Sequence, residues 1–190
     1  LVVDEAHGLG VLGPEGEGLV GALGLTQAEV PVVMGTLGKA LGCQGAFVAG
    51  PSALIDLLEN AARTLIYSTA ESPRMAAVTL GALDLLQAHP EWRSELRRNV
   101  QLFREAASRL GVPLTASETP IQPVIVGSDA RALALSAALW ADGYWVSAIR
   151  PPTVPEGSAR LRITLSRRHQ PEQISALVQS LAYHYRVLCT

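Results

Sequence analysis

Apolar residues alternate between strand-like and helix-like spacing along the whole chain. Leu1 to Asp4, Val30 to Gly35 and Gly45 to Ala49 are short apolar runs and predict buried strands. Between the first two lies a glycine-rich stretch, Gly8 to Gly24, that predicts a loop. Pro51 opens a short helix through about Ala62, and Leu65 to Tyr67 predicts one more strand. Ser72-Pro73 marks a helix start, with serine as the cap and proline at the first helical position, and that helix runs to about Ala88.

The character changes near residue 89. Glu91 to Leu110 predicts a long amphipathic helix with Trp92, Leu96, Val100, Phe103 and Leu110 on one face, ended by Gly111. Its five arginines read as a solvated face. A strand at Gln122 to Val126, a helix at Asp129 to Ala141, strands at Tyr144 to Ile149 and Arg160 to Leu165, and a helix at Pro171 to Val187 follow. The last helix carries Ile174, Leu177, Val178, Leu181 and Tyr185 at helical spacing. This alternation predicts an α/β architecture with two domains, residues 1–88 and 89–190. A parallel strand needs neighbours at both edges, so an opening strand with no lead-in suggests a fragment of a longer protein.

Composition narrows the function classes. The 190 residues are 48% hydrophobic and 17% charged, as in ordinary globular proteins, and the formal net charge is −2. That balance offers no general attraction for nucleic acid or an anionic membrane. The most apolar region, around Gly35 to Ile55, is interrupted by Lys39, Gln44 and Pro51, which predicts no membrane span. Cys43 and Cys189 have neither metal-ligand nor disulfide spacing, consistent with a reduced, cytoplasmic compartment. Trp92, Trp140 and Trp145 read as packing residues, and His89, His169 and His184 as structural or surface ones.

The candidate chemistry lies in two early motifs. Asp4-Glu5-Ala6-His7 ends the first strand, and Gly35-Thr36-Leu37-Gly38-Lys39-Ala40-Leu41-Gly42 follows the second. The first motif alone also spells the acidic box of DEAH helicases, where it would hold a magnesium ion and the attacking water. No arginine-rich finger follows it, and the charge is wrong for a nucleic-acid motor. A lysine set among glycines after a strand suits imine chemistry, which needs a neutral amine. A carboxylate at a neighbouring strand end suits a pyridinium nitrogen acting as electron sink. A bland reading of Lys39 as a surface loop lysine stands beside this one.

Together with Ile149-Arg150-Pro151-Pro152-Thr153-Val154-Pro155 and Ala159-Arg160-Leu161-Arg162-Ile163-Thr164-Leu165, these motifs resemble the α-oxoamine synthases. That family has the fold-type-I pyridoxal-phosphate architecture, and the likeness runs from Leu1 to about His169. It implies the C-terminal part of a cofactor-binding large domain followed by a small α/β domain. It implies Lys39 as the cofactor-linked lysine that later moves the α-proton, Asp4 on the pyridine nitrogen and His7 on the phenolic oxygen. Thr36 would sit near the phosphate, and Ser68 and Thr69 would reach the partner subunit's cofactor phosphate in a homodimer. Thr153 would contact substrate, and Arg150 or Arg160 would hold its carboxylate, with the choice between them open. The proline-rich segment points to the branch that joins L-alanine to a pimeloyl thioester carried by coenzyme A or a carrier protein; sister branches use glycine. The resemblance also assigns cofactor stacking to residues before Leu1, so the 190 residues alone are expected to bind the cofactor poorly or not at all.

Overall fold

The computed structural model describes residues 1–189 and divides into two compact units, Leu1–Arg93 and Ser94–Thr190. In the first, β1 (Val2–Asp4) pairs in parallel with β2 (Val32–Thr36), and β2 pairs in antiparallel fashion with β3 (Ala46–Ala49). The connection from β1 to β2 is the glycine-rich loop with one short turn of helix, α1 (Leu19–Ala22), which the sequence pattern does not reveal. Three helices follow: α2 (Ser52–Ala61), α3 (Arg63–Ile66) and α4 (Pro73–Ala88). Ser72 caps α4 by accepting a hydrogen bond from the Met75 amide, as the Ser-Pro signal predicts.

Two expectations fail in this unit. Leu65 to Tyr67 is not a strand: Ile66 N–H donates to Ala62 O at 3.0 Å and Tyr67 N–H to Arg63 O at 3.1 Å. With no strand beside it to complete a ladder, the segment satisfies its backbone locally, as one helical turn. Nor are the three strands buried on both faces. Every residue of β3 is exposed, and α2, α3 and α4 carry no buried side chain that would close over the sheet. Val30 and Leu41 are the buried apolar residues among this unit's described residues.

The second unit has a well-filled core. Helix α5 (Glu91–Arg109) lies mostly within it, followed by β4 (Ile121–Gly127), α6 (Asp129–Ala141), β5 (Ser147–Ile149), β6 (Ala159–Thr164) and α7 (Pro171–Cys189). The sheet order is β4-β6-β5, antiparallel throughout. Central strand β6 shows the period of two directly: Ala159, Leu161 and Ile163 are buried, while Arg160 and Arg162 face the other way. Phe103, Val124, Leu135, Leu139, Leu161, Ile174, Val178 and Leu181 form the centre of the apolar cluster. The buried stripe of α5 runs Val100, Phe103, Ala107, so Leu110 is left 42% exposed beyond the last turn. The expected strand at Tyr144 to Ile149 is shortened to its last three residues. Trp140 and Trp145 do not pack inside: they are 64% and 85% exposed and meet edge to face. Trp92 is half-buried and stacks on His89.

Helices α6 and α7 are also joined by a polar clamp. Asp142 Oδ2 accepts from Ser180 Oγ at 2.7 Å and meets His184 Nε2 at 2.9 Å. The Ser180 bond first, and His184 second, hold the Asp142 carboxyl below its usual range. A depressed carboxyl pKa adds stability above the ordinary aspartate value, and that contribution fades as pH falls through the lowered one. Melting curves should therefore show a small loss for this unit below about pH 4, flattened in Asp142→Asn. An identical acid limb in the variant would remove the clamp from the account.

Candidate active site

The parallel pairing of β1 and β2 determines what can meet. Asp4 is aligned with Met34, so both strands deliver their following residues to the same sheet edge. In open α/β sheets that edge, outside the carboxyl ends of the strands, is where ligands bind. After β1, Asp4 Oδ1 accepts from Ala6 N–H at 2.8 Å and turns the chain, leaving His7 exposed. After β2, the chain forms a hairpin to β3, with Leu37 N–H donating to Gly45 O at 2.9 Å and Cys43 N–H to Leu37 O at 2.9 Å.

Lys39 sits at the tip of that hairpin, exposed, with its Nζ 3.2 Å from His7 Nε2. The contact joins residues 32 positions apart in sequence. Thr36 braces the same hairpin, donating through Oγ1 to Gly45 O at 3.2 Å and accepting from Gly38 N–H at 3.3 Å. Gly10 comes so close from the other loop that a Cβ there would lie 2.7 Å from Ala40 Cβ. Asp4, His7, Thr36 and Lys39 thus share one edge of one sheet. An amine in contact with an imidazole, with a carboxyl group at the same sheet edge, suits an aldehyde cofactor with a basic ring nitrogen.

The other candidates lie elsewhere. Ser68 follows α3 and donates to Thr64 O; Thr69 is exposed two residues beyond Tyr67, whose ring lies 5.8 Å from the Arg63 guanidinium carbon. In the second unit, Arg150 leaves β5 and Thr153 N–H donates back to Arg150 O at 3.0 Å, closing a turn. Arg160 is the cross-strand partner of Ile149, and its Nε donates to Ser158 O at 2.9 Å. Arg150, Thr153 and Arg160 therefore occupy one corner of the β5–β6 pair.

Sequence reasoning passed over three features. Glu5, inside the first motif, is only 3% exposed. Arg93 is buried too, its guanidinium donating to Pro14 O and Leu86 O. Lys39 is the single lysine of the sequence, against fourteen arginines, a signal present in composition alone. His169, read as structural, accepts a hydrogen bond from the Ser166 amide through Nδ1.

The aminotransferase class I and II description matches residues 1–181. The chain belongs to that family. This membership sets aside the helicase reading of Asp4-Glu5-Ala6-His7. Among curated relatives, an 8-amino-7-oxononanoate synthase of Marinobacter nauticus is 53% identical over 188 residues, covering 99% of this chain and 48% of the relative. One of Alkalilimnicola ehrlichii is 56% identical over 182 residues, covering 95% of this chain and 46% of the relative. The chain thus spans about half the length of the curated relatives it matches. Among solved structures, a serine palmitoyltransferase variant of S. paucimobilis with a bound PLP–myriocin aldimine superposes with a TM-score of 0.89. It is 28% identical, with 98% of this chain and 47% of that one covered. An 8-amino-7-oxononanoate synthase of Francisella tularensis gives 0.88 at 28% identity, covering 98% of this chain and 55% of that one. No helix among the described residues is long and apolar enough to cross a membrane.

Proposed function

We propose that the full-length protein containing this chain is a pyridoxal 5′-phosphate-dependent acyltransferase. It condenses L-alanine with a pimeloyl thioester, with loss of carbon dioxide, to give 8-amino-7-oxononanoate for biotin synthesis. The observation that carries this reading is the 3.2 Å approach of Lys39 Nζ to His7 Nε2 across two strand ends of a family sheet.

Pyridoxal phosphate supplies the electron sink that stabilises negative charge at the amino acid's α-carbon. The chain's own residues do the rest. Lys39 would hold the cofactor through its amine and would take and return the proton at the substrate α-carbon. His7, 3.2 Å from the Lys39 amine, would donate to the cofactor's phenolic oxygen. Asp4 would pair with the pyridine nitrogen and keep its proton in place. Thr36 contributes a hydroxyl beside the phosphate, on the hairpin that carries Lys39. Arg150 or Arg160 holds a substrate carboxylate in a guanidinium fork, and Thr153 contacts the substrate from the same corner. Ser68 and Thr69 reach the phosphate of a second subunit, which makes the working form a homodimer. The acyl donor is a thioester of coenzyme A or of a carrier protein, and the proposed compartment is the cytoplasm.

Substrate choice is the point to test. Pro151 and Pro152 fix φ and remove two donors, so the segment carrying Arg150 and Thr153 is stiff and holds a ligand with little ordering cost. Initial rates of the full-length enzyme should favour L-alanine with a pimeloyl thioester over glycine with acetyl or succinyl thioesters by at least about tenfold, or ~1.4 kcal/mol. Thr153→Val should erode that preference more than it weakens cofactor binding. Faster turnover of glycine with a short acyl donor would overturn the assignment.

A further inference from the structure

Glu5 buries a carboxyl group that the chemistry above does not use. Burial of such a group is unfavourable unless hydrogen bonds replace water, so its partners show what it is for. Its Oε1 accepts from Val20 N–H at 2.7 Å, in the first turn of α1. Room for it is made by glycine: a Cβ on Gly8 would lie 1.9 Å from Oε2, and one on Gly18 2.7 Å. The main chain of the same residue ties the site together. Glu5 N–H donates to Met34 O at 2.7 Å, on the strand that leads to Lys39. Glu5 O accepts from Gly8 N–H and Leu9 N–H, both at 2.9 Å, which shapes the turn carrying His7.

The glycine loop is held at its far end as well. Arg93 Nη2 donates to Pro14 O at 2.7 Å, and Gly10 N–H to Gly16 O at 2.7 Å. Gly10, paired in this way, packs on Ala40, the residue after Lys39.

We infer that Glu5 is a positioning residue: by holding the start of α1 it sets the glycine loop, and through that loop the placement of His7 and Ala40 against Lys39. It touches none of the reacting atoms. The inference rests on the pyridoxal-phosphate reading for what the site binds, but not for how the loop is held.

The test uses the full-length protein and two variants that separate reach from charge. Glu5→Asp keeps the carboxyl but shortens it by one methylene, so it falls short of Val20 N–H. Glu5→Gln keeps an oxygen acceptor at the original reach. Amide hydrogen exchange of the cofactor-free protein should rise over residues 6–20 and 36–45 in Glu5→Asp and stay near wild type in Glu5→Gln. Exchange over β4 and β6 should not change. Spectroscopic titration with pyridoxal phosphate should show a Kd raised at least about tenfold, or ~1.4 kcal/mol, in Glu5→Asp and little changed in Glu5→Gln. A looser loop with an unchanged Kd would make Glu5 purely structural and overturn the inference. So would equal damage in both variants, or exchange rising over β4 and β6 too. Wild-type protein that binds no pyridoxal phosphate would sink the cofactor reading instead, leaving the exchange over 36–45 to decide whether Glu5 positions the Lys39 hairpin.

Discussion

Lys39→Ala in the full-length protein is expected to abolish turnover, with kcat falling at least about a thousandfold, or ~4 kcal/mol. No other group at this sheet edge can replace it. Anchoring an aldehyde requires an amine nucleophile, and His7 and Thr36 offer an imidazole and a hydroxyl. Lys39→Arg should fail equally, because guanidinium stays protonated and cannot form the imine. Stability should barely change, since Lys39 is exposed at a hairpin tip and surface substitutions away from caps and cores fall within about 0.5 kcal/mol. Borohydride reduction of the cofactor-loaded protein and peptide mapping give a second readout. The pyridoxyl group should appear on the peptide containing Lys39, which is unambiguous within this chain because the sequence has one lysine. An adduct elsewhere, or turnover surviving in Lys39→Ala, would end the assignment.

What the sequence made legible follows from how local each signal is. The alternation along Arg160 to Leu165 and the period-3.6 spacing at Ile174, Leu177, Val178 and Leu181 report burial of faces, and both elements form there, the strand one residue earlier at each end. Leu65 to Tyr67 misled because three apolar residues carry no period; whether they pair depends on a neighbouring strand that local sequence does not encode. Trp140 and Trp145 misled for a related reason. Residue type predicts average burial, but exposure depends on which side of α6 and which end of β5 meets the core. The short α1 was hidden by Gly18 and Gly21, which mark a loop by composition although Glu5 supplies the acceptor that lets a turn of helix start there.

The site divides in the same way. Asp4, His7, Thr36 and Lys39 stood out as candidates because each ends a strand or follows one within three residues, and parallel pairing then brings strand ends together. Glu5 was not readable as a functional group, because its importance lies in a bond to Val20 fifteen residues away. The corner formed by Arg150, Thr153 and Arg160 was readable as a set, but the antiparallel register that makes Arg160 face Ile149 was needed to explain why they cluster.

Asp4→Asn should separate charge from geometry at the other end of the proposed cofactor ring. In the present arrangement Asp4 Oδ1 accepts from Ala6 N–H at 2.8 Å, and an asparagine oxygen can accept the same bond. The turn that carries His7 should therefore survive, which would not be assured for Asp4→Ala. What the asparagine lacks is the negative charge that keeps a ring nitrogen protonated. Losing that charge would weaken the electron sink the cofactor would supply, and the cost would fall on the transition state more than on binding. A loss of about 10²- to 10³-fold in kcat is expected, ~3–4 kcal/mol, the scale of removing one preorganised electrostatic partner. Cofactor affinity should fall less than kcat, and hydrogen exchange over residues 6–20 should match wild type. That pattern differs from the one expected of Glu5→Asp, in which the loop loosens and cofactor affinity drops. Near-normal turnover in Asp4→Asn would mean that the carboxyl group serves only to turn the chain after β1, and the electron-sink role would have to pass to another group.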